Sequence, residues 1–130
     1  MTTGSAEGPL SDLVVVDASE GVAGGHATRL LADLGARVLK VEPPGGEGLR
    51  RLGPFGPTGT DLEQGGLHLA LGAGKESLVL DLDDAEGRRR LRELLGGAEI
   101  FFESAQPGVM AGRGLDYAML AAELPRLVYA

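Results

Sequence analysis

Residues 13–17 read Leu-Val-Val-Val-Asp, an apolar, β-branched run closed by an acid. No polar residue alternates with it, which predicts a strand buried on both faces, as in a parallel sheet. A glycine-bearing turn follows over residues 19–25. Ala23, Ala27, Leu30, Leu31 and Leu34 then recur at helical spacing, with Thr28, Arg29 and Asp33 on the other side. Gly35, free to take positive φ, ends that helix. Residues 37–42 form a second strand ending at Glu42. Together these make one βαβ unit, whose crossover is expected to be right-handed.

The same alternation runs on. Residues 43–61 are punctuated by proline and glycine, and no periodicity survives there, so they predict a long loop. Its only basic residues, Arg50 and Arg51, read as a solvated pair. Residues 62–71 can form a short helix, weakened by Gly65 and Gly66. Residues 72–75, Gly-Ala-Gly-Lys, read as a turn, and 77–82 as a third strand. Asp83 and Asp84 offer an N-cap for a helix over 85–95, with Leu91, Leu94 and Leu95 facing inward. Residues 98–103 give a fourth strand, 107–110 a short helical turn, 117–123 a last helix capped by Asp116, and 126–130 a fifth strand. Strands alternating with helices define an α/β fold: a Rossmann-like parallel sheet with helices on both faces. Residues 1–10 read as a disordered leader and 11–130 as the folded segment. Ending inside a strand suggests the front part of something longer.

Length and composition narrow the classes. The 130 residues carry a net charge of −7, which argues against a basic nucleic-acid face and against docking on an anionic membrane. There is no cysteine, so thiolate chemistry is excluded. No apolar stretch approaches the roughly 20 residues of a membrane span. The N-terminus lacks the basic and apolar regions of a signal peptide, so a cytoplasmic location is expected.

General motifs give little. Gly21, Gly24 and Gly25 depart from the spacing of the dinucleotide fingerprint, although Glu42 does follow the second strand. NAD-type binding is therefore a third-ranked reading. Gly74-Lys75 lacks the earlier glycine and the following Ser or Thr of a P-loop. His26 and His68 are the only histidines, at no metal-binding spacing, so no metal is expected. Asp17, Asp81 and Glu103 each close an apolar run. At strand carboxyl ends such acids cap the next turn or touch a ligand.

The specific signal is a resemblance. Residues 27–36, with Val38-Leu39-Lys40-Val41-Glu42 and Pro44-Gly45, closely resemble the front of family III CoA-transferases, a group that includes formyl-CoA and carnitine CoA-transferases and α-methylacyl-CoA racemases. Lys75, Ser77 and Leu80-Asp81-Leu82 are similar to the family's N-R-N-K-R-S-x-x-L-D-L segment. Glu86-Gly87-Arg88 resembles its helix start. Ala98, Glu103, Pro107-Gly108-Val109 and Gly114-Leu115 resemble its A-D-x-x-x-E-N-F-R-P-G-V…G-L segment, and residues 125–129 its N-P-R-L-I-Y strand. The resemblance implies a Rossmann-like large domain, a second small domain, an interlocked dimer, and a catalytic aspartate that forms acyl anhydride and CoA thioester intermediates. That aspartate belongs beyond the stretch resembling residues 125–129. No catalytic residue is therefore expected in this chain, and the 130 residues are expected to be inactive alone.

The resemblance also places a ligand. The nucleotide end of coenzyme A is expected at the carboxyl ends of the strands. Val22 and Ala23 would line one wall, Leu71 and Lys75 a second, and Val109 a third. Lys75 would meet a phosphate; its ordinary alternative is a solvated turn lysine. Several family contacts are missing: Pro43 stands for an arginine, Ser104-Ala105 for Asn-Phe, and Gly112 for an arginine, with Arg113 next door. Each loss removes a charge or a stacking face, so CoA affinity is expected to be poor. Two readings follow: the front of an acyl-CoA transferase acting on acyl-CoA or CoA, or a non-catalytic, degenerate copy kept for assembly or regulation. The expected protein partner is a second copy or the downstream domain.

Overall fold

The computed structural model describes residues 8–56, 59 and 61–130. Five strands form one sheet: β1 (Val14–Ala18), β2 (Arg37–Glu42), β3 (Lys75–Val79), β4 (Ile100–Glu103) and β5 (Val128–Tyr129). Their order is β3-β2-β1-β4-β5, and every pair is parallel. Central β1 sets Val15 against Val38 on one side and Val16 against Phe101 on the other. The helices are α1 (Val22–Asp33), α2 (Gly66–Gly72), α3 (Ala85–Leu95), α4 (Val109–Gly112) and α5 (Tyr117–Glu123), with a 3-10 turn at Gly48–Arg51.

The two-residue period of the strands sorts their side chains onto two faces. Val15 and Val38 pack with Ala32 and Ala36 beneath α1. Val16, Leu39, Val41 and Phe101 pack with Leu91 and Leu95 of α3, Met110 of α4 and Leu120 of α5. The layers are thus α1 with α2 on one face and α3, α4 and α5 on the other. Removing each large core side chain from water stabilises the fold by about 1.5–3 kcal/mol. Local chemistry agrees with this packing. Asp84 accepts from the Glu86 amide at 3.1 Å to start α3, and Asp116 accepts from Met119 to start α5. Gly35 follows α1 at φ 102°, where a side chain would be strained.

Some boundaries move. β3 begins at Lys75, which pairs with Val38, and ends at Val79. Asp81 therefore lies in a turn, where its carbonyl accepts from the Asp84 amide. Leu80 and Leu82, which suggested a longer strand, instead pack into the core after the strand has ended. The short helix expected at 107–110 lies at Val109–Gly112, because Gly108 sits at φ 88° and precedes it as a cap. The first seven positions of the expected leader lie outside the described residues. Its last three belong to the fold: the Leu10 amide donates to Leu34 O at 3.0 Å and its side chain packs under α1.

Connections from β1 lead through β2 to β3 in one direction, while β4 and β5 lie in the other. The carboxyl ends of β1 and β4 therefore flank a topological switch point, where open α/β sheets place a ligand crevice.

Candidate functional site

All three acids that close apolar runs cap the turn after them, each accepting from the amide two residues on. Asp17 accepts from Ser19, Asp81 from Asp83 and Glu103 from Ala105, at 3.0, 2.9 and 2.6 Å. Among the described residues, the Asp81 side chain does only this. Glu103 also accepts from the Tyr129 hydroxyl at 3.2 Å, and burial and this carboxylate push the tyrosine well above its usual range.

Asp17 does more. It is fully buried and accepts from Ser19 Oγ at 2.5 Å and Thr28 Oγ1 at 2.6 Å. Lys40 Nζ lies 3.4 Å from one of its oxygens and Lys75 Nζ 3.3 Å from the other. Burial pushes Asp17 up, but Lys40, the two hydroxyls and Lys75 together hold it below the usual carboxylate range. Lys75 Nζ also donates to Thr28 Oγ1 at 2.7 Å and Gly25 O at 2.9 Å. Its side chain is 3% exposed. Lys75 is therefore no solvated turn lysine: it stands at the start of β3 and ties that strand to α1. Burial pulls its pKa down against the attraction of Asp17.

A second buried group lies beside the first. Arg50 is not solvated either. Its Nε and Nη2 donate to the two oxygens of Glu42 at 2.6 and 2.7 Å, and its Nη1 to Glu63 at 2.7 Å. Ser77 and the Glu47 amide complete the shell of Glu42. The Arg50 fork, chief among these contacts, brings Glu42 down to about 2. The sequence does carry a signal for this pair: an acid closing a buried strand needs a cation, and the following loop has only two. Arg51, the other, donates to loop carbonyls.

The expected ligand walls separate. Leu71 and Lys75 line a cavity of about 330 Å³ on the α1 face, together with Lys40, Glu47 and Arg50. Val109 lines a different one, of about 220 Å³, between the carboxyl ends of β1 and β4, with Ala18, Glu20, Ser104 and Arg113. Val22 and Ala23 are exposed at the start of α1 and line neither. The walls part because Leu71 closes on Gly25 of α1, and Lys75 turns under that helix to reach Asp17.

The β1–β4 crevice has the geometry of a ligand site. Ser104 spans it: its Oγ accepts from the Glu20 amide at 2.7 Å and donates to the Glu20 carbonyl at 3.1 Å. Arg113 borders both this cavity and an adjoining lobe of about 90 Å³ that reaches Pro43, Asp81 and Asp83. The sequence marked Arg113 only as the neighbour of Gly112. Among the described residues, no group of acids and histidines could hold a metal ion, and no helix is long and apolar enough to cross a membrane.

A five-stranded parallel sheet with helices on both faces and a crevice at its switch point defines an α/β domain. Comparison with known proteins specifies the kind: residues 10–130 match CoA-transferase family III, and the chain belongs to that family. It is 38% identical over 131 residues to acetyl-CoA:oxalate CoA-transferase of Acetobacter aceti, covering 99% of this chain and 32% of that protein. It is 38% identical over 122 residues to succinyl-CoA:mesaconate CoA-transferase of Haloarcula hispanica, covering 94% and 31%. A CAIB/BAIF family protein from Brucella suis superimposes with a TM-score of 0.83 at 36% identity, over 94% of this chain and 32% of that one. A hypothetical protein of Mycobacterium tuberculosis gives 0.83 at 34%, with the same coverage. The chain thus spans about a third of the length of these relatives.

Proposed function

We propose that this chain forms the front part of a family III acyl-CoA transferase and that its β1–β4 crevice receives the nucleotide end of CoA. The observation that carries the reading is the coincidence of the family match with an open crevice at the switch point, bordered by the guanidinium of Arg113. In this reading CoA moves between acyl groups through an aspartyl intermediate. The aspartate comes from outside these 130 residues, which alone bind but do not react. The residues first expected around the ligand divide accordingly. Val109 lines the crevice, and Val22 and Ala23 can meet the ligand only at its rim. Leu71 and Lys75 shape the neighbouring α1-face cavity.

One observation favours the second reading, a degenerate domain that binds CoA weakly or not at all. Glu20, Asp81, Asp83 and Glu103 line the two lobes, against one cation, Arg113. A polyphosphate would meet net repulsion there. Calorimetry with CoA separates the two. Micromolar binding that weakens with salt and is lost in Arg113→Met supports the transferase reading. Millimolar binding, or no heat even at millimolar CoA, supports the degenerate one.

The same proposal includes a cytoplasmic location and a protein partner, either a second copy or the downstream part of the family's chain. Val79 on edge strand β3 and Val128 on edge strand β5 are 61% and 57% exposed, and open edges with apolar side chains invite pairing. Light scattering tests this part. A mass that rises with concentration supports the second copy, and a strict monomer removes it and leaves the downstream part.

A further inference from the structure

We propose that the Asp83–Arg113 ion pair sets the affinity of the crevice for anions: Asp83 holds Arg113 between the two lobes and cancels part of its charge. This deepens the CoA reading and rests on it for the natural ligand, though not for the electrostatics. Arg113 Nε and Nη2 both donate to one oxygen of Asp83, at 3.1 and 2.7 Å. The nearest partner of Nη1 is the sulfur of Met110 at 4.0 Å, a weak acceptor. A guanidinium offers five N–H groups in a fixed fork, so this one keeps donors for an oxyanion. Arg113 borders both lobes, whereas Asp83 borders only the smaller one.

The exposures decide how the pair behaves. The Asp83 side chain is 80% exposed and that of Arg113 26%. An ion pair so open to water is weak, and a bound phosphate can replace one of its partners. Among the described residues lining the two lobes, Arg113 is the one cation. Asp83 is the carboxylate in direct contact with it, so its charge reduces what Arg113 offers a ligand more than any other acid there. Asp83→Asn isolates that effect. The amide oxygen still accepts from Nε and Nη2, so the fork keeps its direction while one negative charge is lost.

The test uses the whole 130-residue chain, with inorganic pyrophosphate as probe, followed by NMR at the Arg113 side-chain Nε–H and the Ser104 amide. Asp83→Asn is expected to tighten pyrophosphate binding by about two- to fivefold, the scale of one exposed charge contact. Arg113→Met is expected to weaken it by about tenfold or more. Asp83→Asn added to Arg113→Met should give no further gain, the signature of a coupled pair. Equal affinity of wild type and Asp83→Asn overturns the proposal. So does a gain that persists without Arg113, and so does the absence of saturable shifts in both proteins. CoA is titrated in parallel. The expected pyrophosphate pattern without CoA binding removes the CoA reading and leaves the role of Asp83 standing. Tighter CoA binding by Asp83→Asn supports both.

Discussion

Arg50 grips both oxygens of Glu42 with two nitrogens, at 2.6 and 2.7 Å, and joins the end of β2 to the loop that follows it. The Glu42 side chain is 3% exposed, so losing the fork leaves a buried charge with only Ser77 and the Glu47 amide as partners. Arg50→Met is expected to cost about 3–5 kcal/mol, the usual result of stranding one buried charge. Urea denaturation measures it. A cost below about 1 kcal/mol would mean that the pair behaves as a surface contact.

Glu42 also makes a pH prediction. Its pKa in the fold is about 2, below the ordinary 4.5. A depressed carboxylate stabilises the fold fully above its unfolded pKa and loses that stabilisation as pH falls through the folded value. The contribution is therefore intact at neutral pH and fades between about 4.5 and about 2. Denaturation midpoints recorded across that window should fall, and should fall less in Arg50→Met, where Glu42 titrates nearer its ordinary value.

Lys75 was expected at a phosphate, and the fold instead surrounds it with Asp17, Thr28 and Gly25. Lys75→Met keeps most of its volume and removes the charge, leaving Asp17 with Lys40 alone as cationic partner. We expect a loss of roughly 3 kcal/mol in stability, as for a broken buried pair, and unchanged CoA affinity for the folded protein. A variant of wild-type stability that loses CoA would return Lys75 to the ligand.

Gly87 tests packing against propensity. Within α3, alanine exceeds glycine by about 1 kcal/mol in helix propensity. Yet a Cβ at Gly87 would lie 1.9 Å from the Asp81 carbonyl oxygen, a backbone atom. The clash requires the turn before α3 to shift, and overpacking of this kind costs about 1–3 kcal/mol. Gly87→Ala should therefore destabilise in thermal melts, whereas Gly96→Ala, whose Cβ would meet its nearest atom at 3.3 Å, should stay near neutral.

The sheet was legible because its residues state it twice. β1 opens on an unbroken apolar run, β2 carries Val38, Leu39 and Val41, and the helix between them is amphipathic, so burial and periodicity agree. The family resemblance located the same elements independently. β3 starts two residues before and ends three residues before the expected 77–82, because Leu80 and Leu82 look like strand residues wherever they are buried. The site was less legible. A lysine after Gly-Ala-Gly gives no local sign that it will meet Asp17, which lies 58 positions earlier in the chain. Arg50 lies only eight positions after Glu42. The acid at the end of a buried strand with two cations beyond it is a signal, though a loop without periodicity does not say which arginine answers it. A buried pair that joins residues distant in sequence, such as Asp17 and Lys75, leaves no local pattern.

Glu47 gives the last prediction. It is buried on the loop after β2, and its Oε2 lies 3.4 Å from Lys40 Nζ without a well-directed hydrogen bond. Burial, the largest influence, pushes its pKa up despite the attraction of Lys40, with Glu42 and Asp17 adding repulsion. A raised carboxylate pKa means that the charged form is worse off in the fold than in the unfolded chain. Stability then improves as pH falls from the folded value toward the ordinary 4.5, the opposite sign to Glu42. Glu47→Gln removes the charge and keeps the shape. It should stabilise the protein at neutral pH, and its advantage should shrink steadily as the buffer is acidified and wild-type Glu47 takes up its proton. Paired denaturation curves at several pH values decide the point. A Glu47→Gln protein less stable than wild type at neutral pH would show that the Lys40 contact outweighs the burial of the charge.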